Sequence, residues 1–353
     1  MTDFARALIQ WQKIHGRHEL PWQNTRDPYA IWVSEIMLQQ TQVAAVIAYY
    51  QKFMQRFPDI ASLASAEQDE VLQHWSGLGY YSRARNLHGA AQILMQEYTG
   101  RFPENFEAIQ SLPGIGRSTA AAISSFAFNH PQPILDGNVK RVFARHFLVE
   151  GWPGLPKVEK QLWQLAESLM PQTEVIAYTQ GLMDLGATLC TRSKPRCNAC
   201  PLQPTCGAYR ENRMKLLPEA KPRKVLPERS VTLLLLQQGD EILLEKRPPS
   251  GIWGGLWSLP EVADSVGGQA LARERYGLET ELLPRLPMLT HTFTHFRLHI
   301  TPQPLRITRN LNQARQASFV FLNHEDAISA ALPTPIRKIL RGFNSSPPCE
   351  KSG

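Results

Sequence analysis

Four of the chain's five cysteines crowd between positions 190 and 206, in the pattern Cys190-x6-Cys197-x2-Cys200-x5-Cys206. Four thiolates in so short a run, with Pro195, Pro201 and Pro204 between them, can close around one inorganic centre. Both zinc and an iron–sulfur cluster accept four cysteines. In a reducing compartment metal ligation is expected ahead of disulfides. Two carboxylates call for separate treatment. Glu35 falls in line with Ile31, Leu38 and Gln42 at helical spacing, so the pattern places it on an apolar face, where desolvation raises its proton affinity. The amides and hydroxyl of Gln39-Gln40-Thr41-Gln42 follow it and can read bases or phosphates. Asp136 is delivered to the head of another helix after the Asn129-His130-Pro131 break, with Asn138 expected as the N-cap. Between them lies Leu112-Pro113-Gly114-Ile115-Gly116, whose glycines leave the backbone bare before a helix starting near Arg117. Unpaired N–H groups and the helix dipole there favour a phosphate, although Gly-x-Gly turns between helices are also common as plain structure.

The elements that must position these groups divide the chain in two. Residues 4 to 15 read as an amphipathic helix, with Phe4, Leu8, Trp11 and Ile14 at helical spacing. A second helix opens after Asp27-Pro28, and another runs through Ser118, Ala122, Ile123 and Phe126. Breaks at Phe57-Pro58, at Gly77 to Tyr81 and at Phe102-Pro103 complete an all-helical lobe with short connections. Within it, WSGLGYYSRARN offers two readings. Either its tyrosines stack on or wedge between bases, with Arg83 and Arg85 near a nucleic-acid backbone, or they pack as a core pair.

Between Cys190 and Ser230 ten Lys or Arg face three Glu, an excess equal to the +7 of the whole chain. A polyanionic partner is expected at this segment. From Glu211 to Arg229 the chain is basic and punctuated by Pro218, Pro222 and Pro227, as a linker would be. Beyond it the pattern is α+β. Val231–Leu236 and Ile242–Lys246 flank the hairpin signal Gln237-Gln238-Gly239-Asp240, Phe293–Ile300 and Phe319–Leu322 read as strands, and helical pieces fall near Gly268–Tyr276 and Pro335–Phe343. No run is long and apolar enough for a signal peptide or a membrane span, so a soluble intracellular protein is expected. Cys349 lies in a Pro- and Ser-containing tail and carries no expected role.

Read with its flanks, LPGIGRSTA followed by ILDGNVKRV resembles the helix-hairpin-helix DNA glycosylases, and most closely the adenine DNA glycosylases of the MutY type. VSEIMLQQTQV resembles the helix carrying their catalytic acid, and the cysteine spacing matches the endonuclease III and MutY cluster loop. EKRPPSGIWGGLWSLPE and HTFTHF resemble their Nudix-like C-terminal domain. The resemblance implies an all-α helix-hairpin-helix lobe over residues 1–212, with the hairpin at 112–118 and a 4Fe-4S loop at 190–206. A basic linker at 213–228, an α+β Nudix-like lesion-recognition domain at 229–345 and a tail at 346–353 follow.

The implied function is base excision repair: hydrolysis of the N-glycosidic bond of adenine opposite 8-oxoguanine or guanine in duplex DNA, with the target nucleotide flipped out. Glu35 would protonate the adenine ring at N7, and an ionised Asp136 would stabilise the oxocarbenium-like sugar, with Asn138 in support. Gln39, Tyr80, Gly114, Gly116, Thr294 and His295 would contact DNA. Cys190, Cys197, Cys200 and Cys206 would hold a structural 4Fe-4S cluster that pins Arg192, Lys194 and Arg196 against phosphates. Bifunctional glycosylase-lyases of the superfamily place a lysine where this chain has Ser118. A hydroxyl forms no Schiff base, so a monofunctional glycosylase is expected ahead of an endonuclease III-like one. His291, Phe293, Thr294 and His295 resemble the loop that senses 8-oxoguanine, with Thr294 where many relatives have serine. Only a remnant of the acidic Nudix helix survives around Glu274, which argues against pyrophosphate hydrolysis. The expected state is a monomer in the cytoplasm, associated with the nucleoid.

Overall fold

The computed structural model describes residues 1–222, 225–262, 267–311 and 319–344, and the chain separates into two compact units. One comprises residues 1–65 and 86–223 and is helical. The other joins residues 66–85 to everything from 224 onward. No described helix is long and apolar enough to cross a membrane.

The helical unit begins with α1 (Asp3–His15), α2 (Pro28–Leu38), α3 (Val43–Arg56) and α4 (Ile60–Ser65). α5 (Gln68–Trp75) belongs to the second unit, and α6 (Ser82–Glu97) carries the chain back. Then follow α7 (Phe106–Ser111), α8 (Arg117–Phe128), α9 (Gly137–His146), α10 (Pro156–Leu169) and α11 (Val175–Asp184). A π-helical stretch, Leu185–Leu189, leads into the cysteine loop, which ends at α12 (Gly207–Arg210).

Local signals explain the starts and stops. Thr2 Oγ1 accepts from Ala5 N at 3.2 Å to cap α1, and Asp27 accepts from Tyr29 N at 3.0 Å ahead of Pro28 in the first turn of α2. α8 stops at Asn129, whose left-handed backbone (φ 57°) suits an asparagine C-cap. The buried stripe of α1 is Phe4, Ala5, Leu8, Ile9 and Gln12, whereas Ile14, expected on that face, is 74% exposed. Phe4 and Leu8 join Val139, Phe143, Leu162 and Leu182 in a hydrophobic core of this unit.

In the second unit, β1 (Glu228–Gln238) and β2 (Glu241–Lys246) form the expected hairpin around Gly239 (φ 61°). β3 (Trp257–Ser258), β4 (Glu261–Val262), α13 (Gly268–Tyr276), β5 (Leu278–Leu282), β6 (Leu289–Thr292), β7 (Arg297–Asn310), β8 (Phe319–Asn323), α14 (His324–Ser329) and α15 (Thr334–Asn344) follow. The described strands make one mixed sheet, ordered β3-β2-β1-β7-β5, with β4 on β1, β6 on β7 and β8 on β2. β1 and β7 run parallel from Glu228↔Arg297 to Gln237↔Arg306. Residues 231–236 are buried without alternation, as in a central strand covered on both faces. α13 closes one face by setting Ala272 and Tyr276 on Leu234, Leu236, Leu243 and Leu305. Residues 293–296, expected as strand, are instead the tip of the β6–β7 hairpin, because pairing ends at Thr292↔Arg297.

Residues 66–85 are tied into this second unit by polar contacts. Asp69 accepts from Lys246 Nζ and from Trp257 Nε1, and Ser76 and Tyr81 hydroxyls donate to Leu332 O, each at 3.1 Å. The sequence had placed this stretch in the helical lobe by continuity.

Candidate active site

α2 is apolar on nearly every side, with Ile31, Trp32, Val33, Ile36 and Met37 all buried. Glu35 is the exception. It is largely enclosed and lines a cavity of about 790 Å³ in the helical unit, a volume in the range of small-molecule sites. Burial, and next the charge of Asp136, push its carboxyl up to about 8. Near neutral pH Glu35 therefore carries a proton, as a general acid requires. The helix ends sooner than the sequence suggested. It stops at Leu38, Gln40 turns the chain with a left-handed backbone, and Gln42 is the N-cap of α3 and no longer part of the Glu35 face.

Asp136 caps α9 itself, with Oδ1 accepting from Val139 N at 2.8 Å and Oδ2 from Asn138 Nδ2 at 3.2 Å. The expectation that Asn138 is the cap is corrected here: Gly137 already takes up helical geometry, so the cap shifts back to the carboxylate. Asn138 instead supports Asp136 from inside the first turn. Burial raises the Asp136 carboxyl above its ordinary range, and hydrogen bonds from Val139 and Asn138, with the charge of Arg141, pull it back in part. Asp136 does not line the cavity, and its link to Glu35 is electrostatic. Of the pair, Asp136 is the better-solvated anion, since protein donors and a guanidinium stand in for water around it.

The hairpin joins α7 to α8 as expected. Gly114 has φ 81°, and a Cβ there would sit 2.9 Å from Asn86 Cβ, so both dihedral and space require glycine. Gly116 caps α8 without a side chain, leaving first-turn amides open to an anion. Gln39 is brought to this hairpin, its amide within 3.4 Å of Gly114 O and 3.3 Å of Thr119 Oγ1. Ser118 Oγ accepts from Leu135 N at 3.0 Å, tying α8 to the residue just before Asp136. Its place is structural as well as adjacent to the site.

Five residues around these groups were missed in the sequence. Arg17 and Gln180 line the cavity and share the fully buried Asp184, whose Oδ1 accepts from Arg17 Nε at 2.6 Å and from Gln180 Nε2 at 2.9 Å. Arg141 donates to Asn138 Oδ1 at 2.8 Å, to Gly186 O at 2.7 Å and to Cys190 O at 2.6 Å. Arg145, 3% exposed, donates to Cys190 Sγ at 3.4 Å and to the carbonyls of Thr191, Arg192 and Leu217 at 2.8, 3.0 and 2.8 Å. The spacing Asp136, Arg141, Arg145 along one helix was the available signal for the two arginines.

Cys190, Cys197, Cys200 and Cys206 line one cavity together with His146 and Met214. Burial pushes the Cys200 thiol up to about 12. Among the described residues no three His, Cys, Asp or Glu side chains meet closely enough to hold a single ion. Arg192, Lys194 and Arg196 are exposed on the loop.

In the second unit Tyr80 is 44% exposed with a left-handed backbone (φ 48°), while Tyr81 is buried, so the two tyrosines divide between the two readings. Arg83 and Arg85 are both engaged by carbonyls of the protein itself. Arg83 is buried against Trp75 and donates to Leu78 O and Gly79 O, and Arg85 donates to Gly254 O at 2.6 Å. The bare carbonyls of a glycine-containing turn capture them. Thr294 and His295 are exposed at the β6–β7 tip, Thr294 Oγ1 3.4 Å from His295 Nδ1. Around Glu274 the neighbouring Arg275 and Tyr276 bind Glu245 of β2, so the helix serves packing.

Residues 33–168 match the family model of the HhH-GPD superfamily base excision DNA repair proteins, and residues 231–342 match that of the NUDIX domain. The chain is 37% identical over 344 residues to the adenine DNA glycosylase of Buchnera aphidicola subsp. Acyrthosiphon pisum (strain APS), covering 97% of this chain and 98% of that one. It is 33% identical over 411 residues to the adenine DNA glycosylase of Homo sapiens, covering 99% and 75%. A thermostable thymine-DNA glycosylase structure superposes with a TM-score of 0.54 at 32% identity, over 59% of this chain and 95% of that one.

Proposed function

The chain belongs to the adenine DNA glycosylase family within the HhH-GPD superfamily and is a DNA glycosylase, and from that premise we propose that it removes adenine paired with 8-oxoguanine or guanine in duplex DNA. The observation that carries the proposal is a protonated carboxyl, Glu35, opening into a cavity with room for a flipped base and coupled to a second, better-stabilised carboxylate, Asp136. The flipped adenine enters the cavity. Glu35 gives its proton to N7, and the bond from C1′ to N9 breaks with its electron pair drawn into the ring. Positive charge left on the sugar is stabilised by Asp136, whose anion is already held by the amides of α9. Water adds to C1′ and its released proton restores Glu35. Ser118 has no amine to attack C1′ and is bonded to Leu135 N, which supports a glycosylase without lyase chemistry.

The amides of α8 after Gly116 would grip a phosphate, Gln39 and Tyr80 would each contact DNA, and Thr294 and His295 would contact the opposite base. The donor set around the cysteine cavity fits a 4Fe-4S cluster held by Cys190, Cys197, Cys200 and Cys206. A cluster with four thiolates carries net negative charge, and the buried Arg145 guanidinium beside Cys190 Sγ is the counter-charge such a group needs. Bound there, it would supply loop rigidity and keep Arg192, Lys194 and Arg196 presented to phosphates. We place the enzyme as a monomer on nucleoid DNA in the cytoplasm.

The test is a single-turnover incubation with duplexes holding adenine opposite 8-oxoguanine or guanine, each read before and after alkali. Alkali-dependent cleavage at adenine is expected on both. Cleavage without alkali would favour the bifunctional alternative, and an intact adenine on both would overturn the assignment.

A further inference from the structure

The turn that runs from Pro248 to Leu256 is built with more constraint than a surface connection needs. Gly251 and Gly255 have φ of 88° and 73°, and a Cβ on Gly254 would meet Pro249 O at 2.4 Å. Gly255 N donates to Pro248 O and Leu256 N to Trp253 O, each at 3.0 Å. Arg85 holds the turn from α6 through Gly254 O. Trp253 itself adopts a left-handed backbone (φ 57°), unfavourable for a bulky side chain and kept only where the surroundings over-determine it. The residue is nonetheless buried, 8% exposed.

What the ring rests against is the β6–β7 hairpin. Its centroid lies 5.8 Å from Phe293 and 6.1 Å from His291, which are themselves 4.6 Å apart and nearly perpendicular. Phe293 stacks on Phe296 at 4.5 Å and 19°, and the Arg229 guanidinium covers Phe296 at 4.8 Å. Phe293 N donates to Phe296 O at 2.9 Å, closing the tip on which Thr294 and His295 stand exposed. The backbone alone cannot fix that tip. β6 has four residues and, among the described strands, pairs with β7 only. Side-chain packing beneath Phe293 has to supply the rest.

We propose that Trp253 is the positioning residue of this hairpin, a rigid floor that sets Phe293 and thereby the direction in which Thr294 and His295 project. The inference rests on the reading of Thr294 and His295 as contacts to the base opposite adenine. It makes discrimination between 8-oxoguanine and guanine depend on a buried ring outside the tip.

The experiment uses the full chain with Trp253→Leu, Trp253→Phe, Phe293→Leu and a Thr294→Val, His295→Ala double variant. Two quantities are read: the ratio of single-turnover excision rates on the 8-oxoguanine and guanine duplexes at fixed salt, and amide hydrogen exchange at 291–296. Trp253→Leu is expected to lower the ratio about five-fold, the equivalent of one misplaced hydrogen bond, and to speed exchange at the tip. Trp253→Phe should restore most of both. A wild-type ratio and wild-type exchange in Trp253→Leu would overturn the proposal. Should that variant fail to fold, Phe293→Leu deletes the same contact from the other side, and the same two outcomes decide. The double variant separates the two layers. A lowered ratio with unchanged exchange upholds the reading of the tip, and an unchanged ratio overturns that reading whatever Trp253 does.

Discussion

Glu35→Gln is expected to inactivate the enzyme and stabilise the fold at once. The folded chain holds the Glu35 proton up to about pH 8, against an ordinary value of 4.5. Between those values the folded state binds one more proton than the unfolded state, so wild-type stability falls as pH rises through this window, and the loss is complete above about pH 8. A tenfold change in proton affinity is worth about 1.4 kcal/mol, so at pH 7 the burden is about 3 kcal/mol, and nearer 2 kcal/mol once partial opening into the cavity is allowed for. Glutamine keeps the size and the hydrogen bonding and takes up no proton. Urea unfolding of both proteins from pH 5 to pH 8 should therefore show a variant advantage that is near zero at pH 5 and grows to about 2 to 3 kcal/mol. In parallel, wild-type excision should decline above about pH 8 as the acid is lost, and the variant should excise nothing while still binding duplex. A variant that is less stable than wild type, or a difference that does not change with pH, would refute the desolvation argument. Near-normal excision by the variant would refute the role.

Asp136→Asn should also abolish single-turnover excision, since the sugar cation loses its anion while the cap to Val139 N survives, and a near-normal rate would remove Asp136 from the mechanism. Purified protein should be brown with about four irons per chain, and Cys197→Ser should lose both colour and yield, whereas zinc by elemental analysis would refute the cluster. Arg145→Met leaves the carbonyls of Leu217, Thr191 and Arg192 without their shared donor, and unfolding should be easier by roughly 3 kcal/mol with iron content reduced. A loss below about 1 kcal/mol would mean that water replaces the guanidinium. Truncation after Leu226 removes the partners of residues 68–85, whose amide exchange should rise sharply while 106–146 stays protected. Unchanged protection would show that the stretch folds with the helices.

What the sequence disclosed was mostly local chemistry. Asp27-Pro28 announced α2, the glycines announced the turn into α8, and Gly239 announced the first hairpin of the sheet, because each needs a dihedral or a cap that few residues supply. The apolar face around Glu35 was readable from periodicity, but its far end was not: whether Gln42 continues a helix or caps the next depends on Gln40 turning left-handed, which no pattern of polarity records. The same limit moved the cap of α9 from Asn138 to Asp136, one residue type being as good a cap as the other. The partners of Arg83 and Arg85 were hidden for a different reason. A charged residue in a basic, aromatic run reads as solvent-facing, and only tertiary structure reveals a carbonyl waiting for it. The parallel pairing of β1 with β7 was beyond sequence because the partner lies far along the chain, and β3 and β4, two residues each, are too short to leave a pattern.

The membership of residues 66–85 in the C-terminal unit bears on the order in which the chain is made. A ribosome releases Tyr81 long before Leu332, its hydroxyl's acceptor, which comes 251 residues later, and Asp69 waits 177 residues for Lys246. Such distant closures form late and leave apolar surface, here Leu72, Trp75 and Tyr81, without cover in the interval. Nascent chains should thus bind a holding chaperone through this stretch. The turn presenting Tyr80 would reach its final shape only after synthesis has passed α15, so an incomplete chain would carry this tyrosine on an unset turn.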